Sequence, residues 1–204
     1  MARSKSSPSR PVTGSARPGH IRLISGQWRG RKLPVHDVEG LRPTTDRVKE
    51  TLFNWLAADV REARCLDVFS GSGSLGFEAL SRYADYVMMI EKEPKAARQL
   101  QQNLQTLQSQ QAHVVNGDAL QILARGIDAP FDVIFLDPPF RKGLLEAAIP
   151  LLEAHGWLKE DTLIYLEREN EGQPPAIPAH WRLLKDKQAG QVCYQLYIRE
   201  NPTP

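Results

Sequence analysis

From Arg64 to Leu166 short apolar runs alternate with amphipathic segments, and this alternation constrains the fold more than any other feature of the chain. It is the sequence form of a parallel sheet with helices on both faces. Strands are predicted near 64–69, 86–91, 112–116, 131–136 and 161–168, with helices between them. The clearest helix is 94–107, where Pro94 suits the first turn and Ala97, Leu100, Leu104 and Leu107 share one face. The pattern then changes. Two consecutive strand-like runs, 181–187 and 191–199, surround Ala189-Gly190 and predict a terminal antiparallel hairpin. Ahead of the sheet, Ile21–Ile24 and Lys32–Val35 flank Ser25-Gly26-Gln27-Trp28-Arg29-Gly30, a second hairpin with a cationic tip. Thr44-Thr45-Asp46 then offers N-cap side chains, and Val48, Leu52, Trp55 and Leu56 recur at helical spacing.

A length of 204 residues, 41% hydrophobic and 25% charged, fits one globular domain. We expect that domain over 20–204, with 20–36 as its hairpin extension, behind a basic tail of 1–19 in which Ser, Pro and Gly preclude a packed core. No run approaches the roughly 20 apolar residues of a membrane span, and none at the N-terminus resembles a signal sequence, so a cytosolic protein is expected. Cys65 and Cys193 lie in apolar runs without zinc-site or disulfide spacing and read as buried structural thiols; the five scattered histidines suggest no metal.

Charge is distributed unevenly. Eight cations (Arg3, Lys5, Arg10, Arg17, Arg22, Arg29, Arg31 and Lys32) precede the first acid, Asp37. Subtracting them from 26 leaves 18 basic against 24 acidic residues, a net −6 beneath an overall +2. A basic arm on an acidic body suits a polyanionic partner, although a solvated tail would look the same.

Leu66-Asp67-Val68-Phe69-Ser70-Gly71-Ser72-Gly73-Ser74-Leu75-Gly76 reads as a strand, a glycine turn and a helix beginning near Leu75. Glycines there permit a ligand to approach the backbone closely. The spacing also satisfies the dinucleotide fingerprint, so context must separate cofactors. Three acids form a rim: Asp67 before the loop, Glu91 twenty residues after Gly71, and Asp118 after the third strand. Acids attract the cationic sulfonium and ammonium of S-adenosylmethionine and repel a pyrophosphate. For Glu91 the alternative is a solvated strand end, and for Asp118 a plain helix N-cap.

The run Phe131–Leu136 delivers Asp137-Pro138-Pro139-Phe140 to a strand's carboxyl end, where ligands bind in open α/β sheets. The tetrapeptide resembles the motif of amino-methyltransferases acting on DNA, RNA and protein glutamine. An exocyclic base amine is a poor nucleophile because its lone pair is delocalised into the ring. Two acceptors for its N–H groups let the nitrogen pyramidalise, and the Asp137 carboxylate and Pro138 carbonyl suit that task. Pro139 would lock the turn and Phe140 would stack on a base taken out of its own stack. The alternative is a simple chain break after the strand.

The runs Gly26-Gln27-Trp28-Arg29-Gly30-Arg31-Lys32-Leu33 and Leu41-Arg42-Pro43-Thr44-Thr45-Asp46-Arg47-Val48, with the glycine loop, Asp137–Phe140 and Gly190-Gln191, resemble the bacterial small-subunit rRNA guanine-N2 methyltransferase family, RsmD. The likeness covers nearly everything after residue 20. It implies a Rossmann-like class I methyltransferase fold, a mostly parallel seven-stranded sheet ending in an antiparallel hairpin. The activity implied is methylation of one guanine N2 in 16S rRNA of the small ribosomal subunit, by a monomer using S-adenosylmethionine. The implied cofactor residues are Asp67, Phe69, Gly71, Ser72, Gly73, Glu91, Asp118 and Ala119, with Asp67 near the methionine amine, Glu91 on the ribose hydroxyls and Asp118 on the adenine amine. Arg29, Arg31, Lys32, Arg42 and Arg47 are candidate phosphate contacts, or ordinary solvated cations. Rival readings remain: an amino-methyltransferase of DNA adenine or protein glutamine, a non-catalytic ribosome-assembly factor, and a nicotinamide oxidoreductase.

Overall fold

Alternation along each strand sorts its side chains to two opposite faces, and here the two faces acquire separate cores. The computed structural model describes residues 19–36, 45–140 and 142–201. A small antiparallel hairpin, β1 (His20–Arg22) and β2 (Lys32–Pro34), is followed by α1 (Asp46–Trp55). Then come β3 (Arg64–Asp67), α2 (Ser74–Ser81), β4 (Tyr86–Glu91), α3 (Pro94–Leu107), β5 (Ala112–Asn116) and α4 (Ala119–Leu123). The chain continues through β6 (Phe131–Leu136), α5 (Leu144–Ala154), β7 (Leu158–Glu169), β8 (Trp181–Ala189) and β9 (Val192–Arg199).

The large sheet has seven strands in the order β5-β4-β3-β6-β7-β9-β8. β3 to β7 run parallel, while β9 pairs antiparallel with both β7 and β8, as the sequence and the resemblance led us to expect. Cys65, Val87, Met89, Val133 and Phe135 pack with α1, α2 and α3 on one face. The intervening Leu66, Met88, Ile90, Ile134 and Leu136 pack with α4 and α5 on the other. Both cysteines are free and buried, Cys65 within the first of these cores.

Local chemistry sets the element ends. Thr45 caps α1, its hydroxyl accepting from Val48 N at 3.4 Å. Pro94 occupies the first turn of α3, behind Glu93 as N-cap. Several boundaries differ from expectation, and three of the differences have a cause in the hydrogen bonding. β3 stops at Asp67 rather than 69 because the chain turns into the loop, where Ser70 Oγ donates to Asp67 O at 3.0 Å. β7 starts at 158 rather than 161 because a bulge inserts residues between the pairs Phe131–Leu158 and Val133–Leu163; Asp161 adopts φ +63° there, and Thr162 Oγ1 donates to Phe131 O at 2.8 Å. The N-terminal strands are three residues each, shorter than predicted, because hydrogen bonds to α2 take over beyond Leu23. No helix among the described residues is long and apolar enough to cross a membrane.

Candidate active site

The carboxyl ends of β3, β4, β6 and β7 open onto one cavity of about 710 Å³. Its first wall is the glycine turn. Ser70 N donates to Ile90 O at 2.9 Å, and Gly73 N to Ser70 O at 2.7 Å, folding residues 70–73 back over β4. Gly71, at φ +51°, donates its N–H to Glu91 Oε2 at 2.7 Å, and the other Glu91 oxygen accepts from Glu93 N at 2.7 Å. Glu91 therefore braces the turn as well as facing the cavity. Burial raises its pKa, an effect partly offset by these two amides.

Asp67 lies beneath the start of α2, its Oδ2 accepting from Gly76 N at 3.1 Å. A Cβ at 76 would stand 2.8 Å from Met89 Sδ and 3.2 Å from Asp67 Oδ2, so a larger residue would have to displace the Met89 side chain. Burial pushes the Asp67 carboxyl up to about 7, with the Gly76 amide pulling it down and the nearby Glu91 charge pushing it further up. Asp118 caps α4, with Oδ1 accepting from Leu120 N at 3.0 Å and Gln121 N at 3.4 Å, while Oδ2 receives Lys92 Nζ at 2.8 Å. The Lys92 hydrogen bond chiefly holds its pKa low. The capping alternative for Asp118 is thus realised, and the residue lines the cavity too.

Asp67, Phe69, Gly71, Ser72, Glu91, Asp118 and Ala119 all line this cavity. Gly73 does not. At φ +76° it turns toward the core, where a Cβ would lie 2.6 Å from both Phe77 and Leu100. Its glycine requirement comes from the fold rather than from ligand approach.

Asp137, Pro138, Pro139 and Phe140, from the end of β6, line the same cavity. Pro138 is buried, Asp137 and Phe140 are half-buried, and Pro139 is exposed. Sequence reasoning missed other walls: Thr45 and Val48 of α1, Ala189 and Val192 flanking the β8–β9 turn, and Glu167 of β7. Glu167 had a usable signal. It directly follows the apolar run Leu163–Leu166, just as Glu91 follows Val87–Ile90 and Asp137 follows the β6 run. A second, shallower cavity of about 510 Å³ lies between α5 and residues 176–178 and is lined by none of the proposed site residues.

A family model described as conserved hypothetical protein 95 matches residues 21–198. The Escherichia coli ribosomal RNA small subunit methyltransferase D is 57% identical over 182 residues, covering 89% of this chain and 91% of that one. The Haemophilus influenzae protein of the same name is 54% identical over 182 residues, covering 88% and 94%. This chain belongs to the ribosomal RNA small subunit methyltransferase D family. The solved E. coli protein YhhF, 54% identical, superposes with a TM-score of 0.84 over 90% of this chain and all of its own.

In this family member the Gly26–Gly30 turn is riveted to the C-terminal end of α2. Glu78, fully buried, accepts Ile24 N at 2.9 Å and Ser25 N at 3.1 Å. Gln27 N donates to Ser81 O at 2.8 Å, and Trp28 N to Ser81 Oγ at 3.1 Å. The approach is so close that a Cβ on Gly26, at φ +79°, would sit 1.7 Å from Ser81 O. Sequence reasoning also missed Glu78, an acid inside an otherwise apolar helix. Arg29, Arg31 and Lys32 project from this anchored turn as exposed side chains, and Arg47 is exposed on α1. None of the four lines the cavity. The three hairpin cations sit at the far end of α2 from the glycine turn, about 12 Å along an eight-residue helix. Arg42 and the tail up to residue 18 lie outside the described residues.

Proposed function

We propose that this family member transfers a methyl group from S-adenosylmethionine to the exocyclic N2 of a guanine in 16S rRNA of the small ribosomal subunit. One observation supports the reading: the acid-rimmed glycine turn and the Asp137–Phe140 motif, carried by the neighbouring strands β3 and β6, line a single cavity. The relatives named for small-subunit rRNA methylation supply the substrate class.

The cavity chemistry fits this donor. Asp67 and Glu91 are carboxylates desolvated by burial, an environment that a cationic ligand relieves. A dinucleotide pyrophosphate would need the loop amides, yet the Gly71 N–H is already committed to the Glu91 carboxylate. Asp67, Glu91 and Asp118, with the backbone of 69–72 and Ala119, would hold the donor. When bound, it supplies a methyl group activated by a positively charged sulfur.

The chain's own residues do the rest. The Asp137 carboxylate and Pro138 carbonyl accept the two N2 hydrogens, which turns the nitrogen lone pair out of conjugation and toward the methyl carbon. Phe140 stacks on the base and helps to exclude water. With the methyl group supplied by the bound donor, Asp137 would take the surplus N2 proton. Arg29, Arg31, Lys32 and Arg47 would meet phosphates around the flipped nucleotide.

The test is incubation with labelled S-adenosylmethionine and small subunits lacking modification, followed by mass-spectrometric mapping. A single methyl on one guanine N2 of 16S rRNA is expected. Subunits that stay unlabelled, or a label on another acceptor, would overturn the reading.

A further inference from the structure

The edge strand β8 carries three cations, and a bulge gathers them on one face. Arg182 is level with Ile198 of β9, Lys185 with Leu196 and Lys187 with Tyr194, the register shifting between Leu183 and Lys185. Residues paired across two strands project from the same face of the sheet. The three cations therefore share the face of Tyr194 and Leu196, which belong to the core packed with α1, α2 and α3. Without the bulge, Arg182 and Lys185, three residues apart, would lie on opposite faces. The other face receives Leu183, Asp186 and Gln188.

The row ends at the cavity. Ala189 continues it, level with Val192, and both residues line the cavity. At about 3.4 Å per residue, Lys187 stands about 7 Å and Lys185 about 14 Å from Ala189 along the strand. Both lysines are exposed, and neither forms an ion pair among the described residues, whereas Arg182 is held by Glu200. Trp55 of α1 stacks on Tyr194 with ring centroids 5.5 Å apart, so α1, with its exposed Arg47, borders the same face. Glu167 and Glu169 of that face stand two strands in, on β7.

Lysines on an edge strand also deter pairing with another sheet. That role needs charge but no choice of face. The sorting of the cations away from Asp186, and the run of their row into the cavity, fit a polyanion that enters there.

We propose that Lys185 and Lys187 bind successive phosphates of the rRNA strand next to the target guanine and lead that strand along β8 into the cavity. The inference rests on the rRNA methylation reading above and adds a docking surface that adjoins the pocket. Side chains two residues apart on a strand repeat at about 7 Å, a spacing that phosphates of an extended single strand can match. The hairpin cations, at the far end of α2, would then meet a more distant part of the subunit.

The test compares wild-type protein with the double variant Lys185→Gln/Lys187→Gln on small subunits lacking modification. Loss of two phosphate contacts to a single strand should reduce the log–log salt slope of KM by about 1.4, which is about 25-fold in KM at about 0.1 M salt. Because neither lysine lines the cavity, kcat at saturating subunits and the Kd for S-adenosylmethionine should each stay within about twofold. Arginine at both positions should restore the slope. Position is read separately. Both native thiols are buried, so a photo-crosslinker placed on Lys187→Cys should label 16S rRNA beside the methylated guanine.

Crosslinks to a ribosomal protein, or to rRNA remote from the target, would overturn the proposal while the methylation reading stands. So would a double variant with unchanged KM and slope, and self-association of that variant would assign the lysines to edge protection instead. If wild-type protein leaves the subunits unmethylated, the underlying reading fails and this inference falls with it.

Discussion

Replacing Glu78 by alanine should unfasten the N-terminal hairpin and destabilise the whole chain. Its carboxylate is fully buried and has four neighbours: Ile24 N at 2.9 Å, Ser25 N at 3.1 Å, Arg82 Nε at 2.8 Å and Lys49 Nζ at 3.9 Å. Lys49 is itself only 1% exposed, so removing Glu78 strips a buried ammonium of its nearest buried counter-charge. Breaking such a pair costs about 3–5 kcal/mol. In a chain of this size about 1 kcal/mol moves Tm by about 2–4 °C, so Glu78→Ala should lower Tm by about 6–20 °C. Glu78→Gln keeps one acceptor and the side-chain volume, and should lose roughly half as much. The pH dependence has a definite sign. Burial lowers the Lys49 pKa, while Glu78 raises it. Without Glu78 the folded-state pKa drops further below the unfolded value, and the deficit should shrink as pH rises through that lowered pKa toward 10.5, where neutral lysine is no longer penalised. Thermal unfolding followed by circular dichroism reads the stability, and amide exchange at Ile24 and Ser25 reads the docking. A Tm loss below about 2 °C with both amides still protected would show that the carboxylate does not anchor the turn.

Asp137→Ala should reduce methyl transfer by about 10³-fold or more while leaving the Kd for S-adenosylmethionine within a few-fold; a variant retaining full turnover would remove Asp137 from the chemistry. The Asp67 carboxyl, raised from 3.8 to about 7, favours the folded state most when protonated, so its contribution to stability declines as pH rises from about 4 to about 7 and is flat above. A cationic donor prefers the ionised form. Donor affinity should therefore improve about tenfold between pH 6 and pH 8, and Asp67→Asn should flatten the calorimetric profile; an equally steep profile in the variant would assign the titration elsewhere. Combined replacement of Arg29, Arg31 and Lys32 by alanine should raise KM for subunits and reduce the log–log salt slope by about 2–3. An unchanged slope would return these three to the class of ordinary solvated cations.

Most of the sheet was legible because each strand of an α/β fold is a short apolar run with a turn at each end, and that signal is local. The acids at strand ends were legible for the same reason: Asp67, Glu91 and Asp137 each close an apolar run, and all three line the cavity. Less local features escaped. The bulge at the start of β7 depends on the pairing of Phe131 with Leu158 across two strands, and no pattern within 158–162 announces it. The resemblance implies a ligand role for Gly73, yet neither likeness nor spacing reveals whether a glycine faces a pocket or, as here, Phe77 and Leu100. Glu167 escaped because an acid that closes an apolar run with no motif beside it looks like any solvated strand end.

Glu78 and Gly26 together explain why a motif more than 40 residues before the glycine turn belongs to the same machinery. Gly26 permits backbone contact with Ser81, and Glu78 gathers the amides of Ile24 and Ser25, so the cationic turn is fixed to one end of α2 while the acid-rimmed loop forms the other. A helix is stiff over eight residues. If the proposed function holds, the cationic turn that would meet phosphates and the pocket that would take the donor are held in register through a strut of about 12 Å. On that proposal the division of charge has a reason: acids that attract a cationic donor would repel RNA if they shared its docking surface, and cations at the opposite helix end would let one small fold hold both.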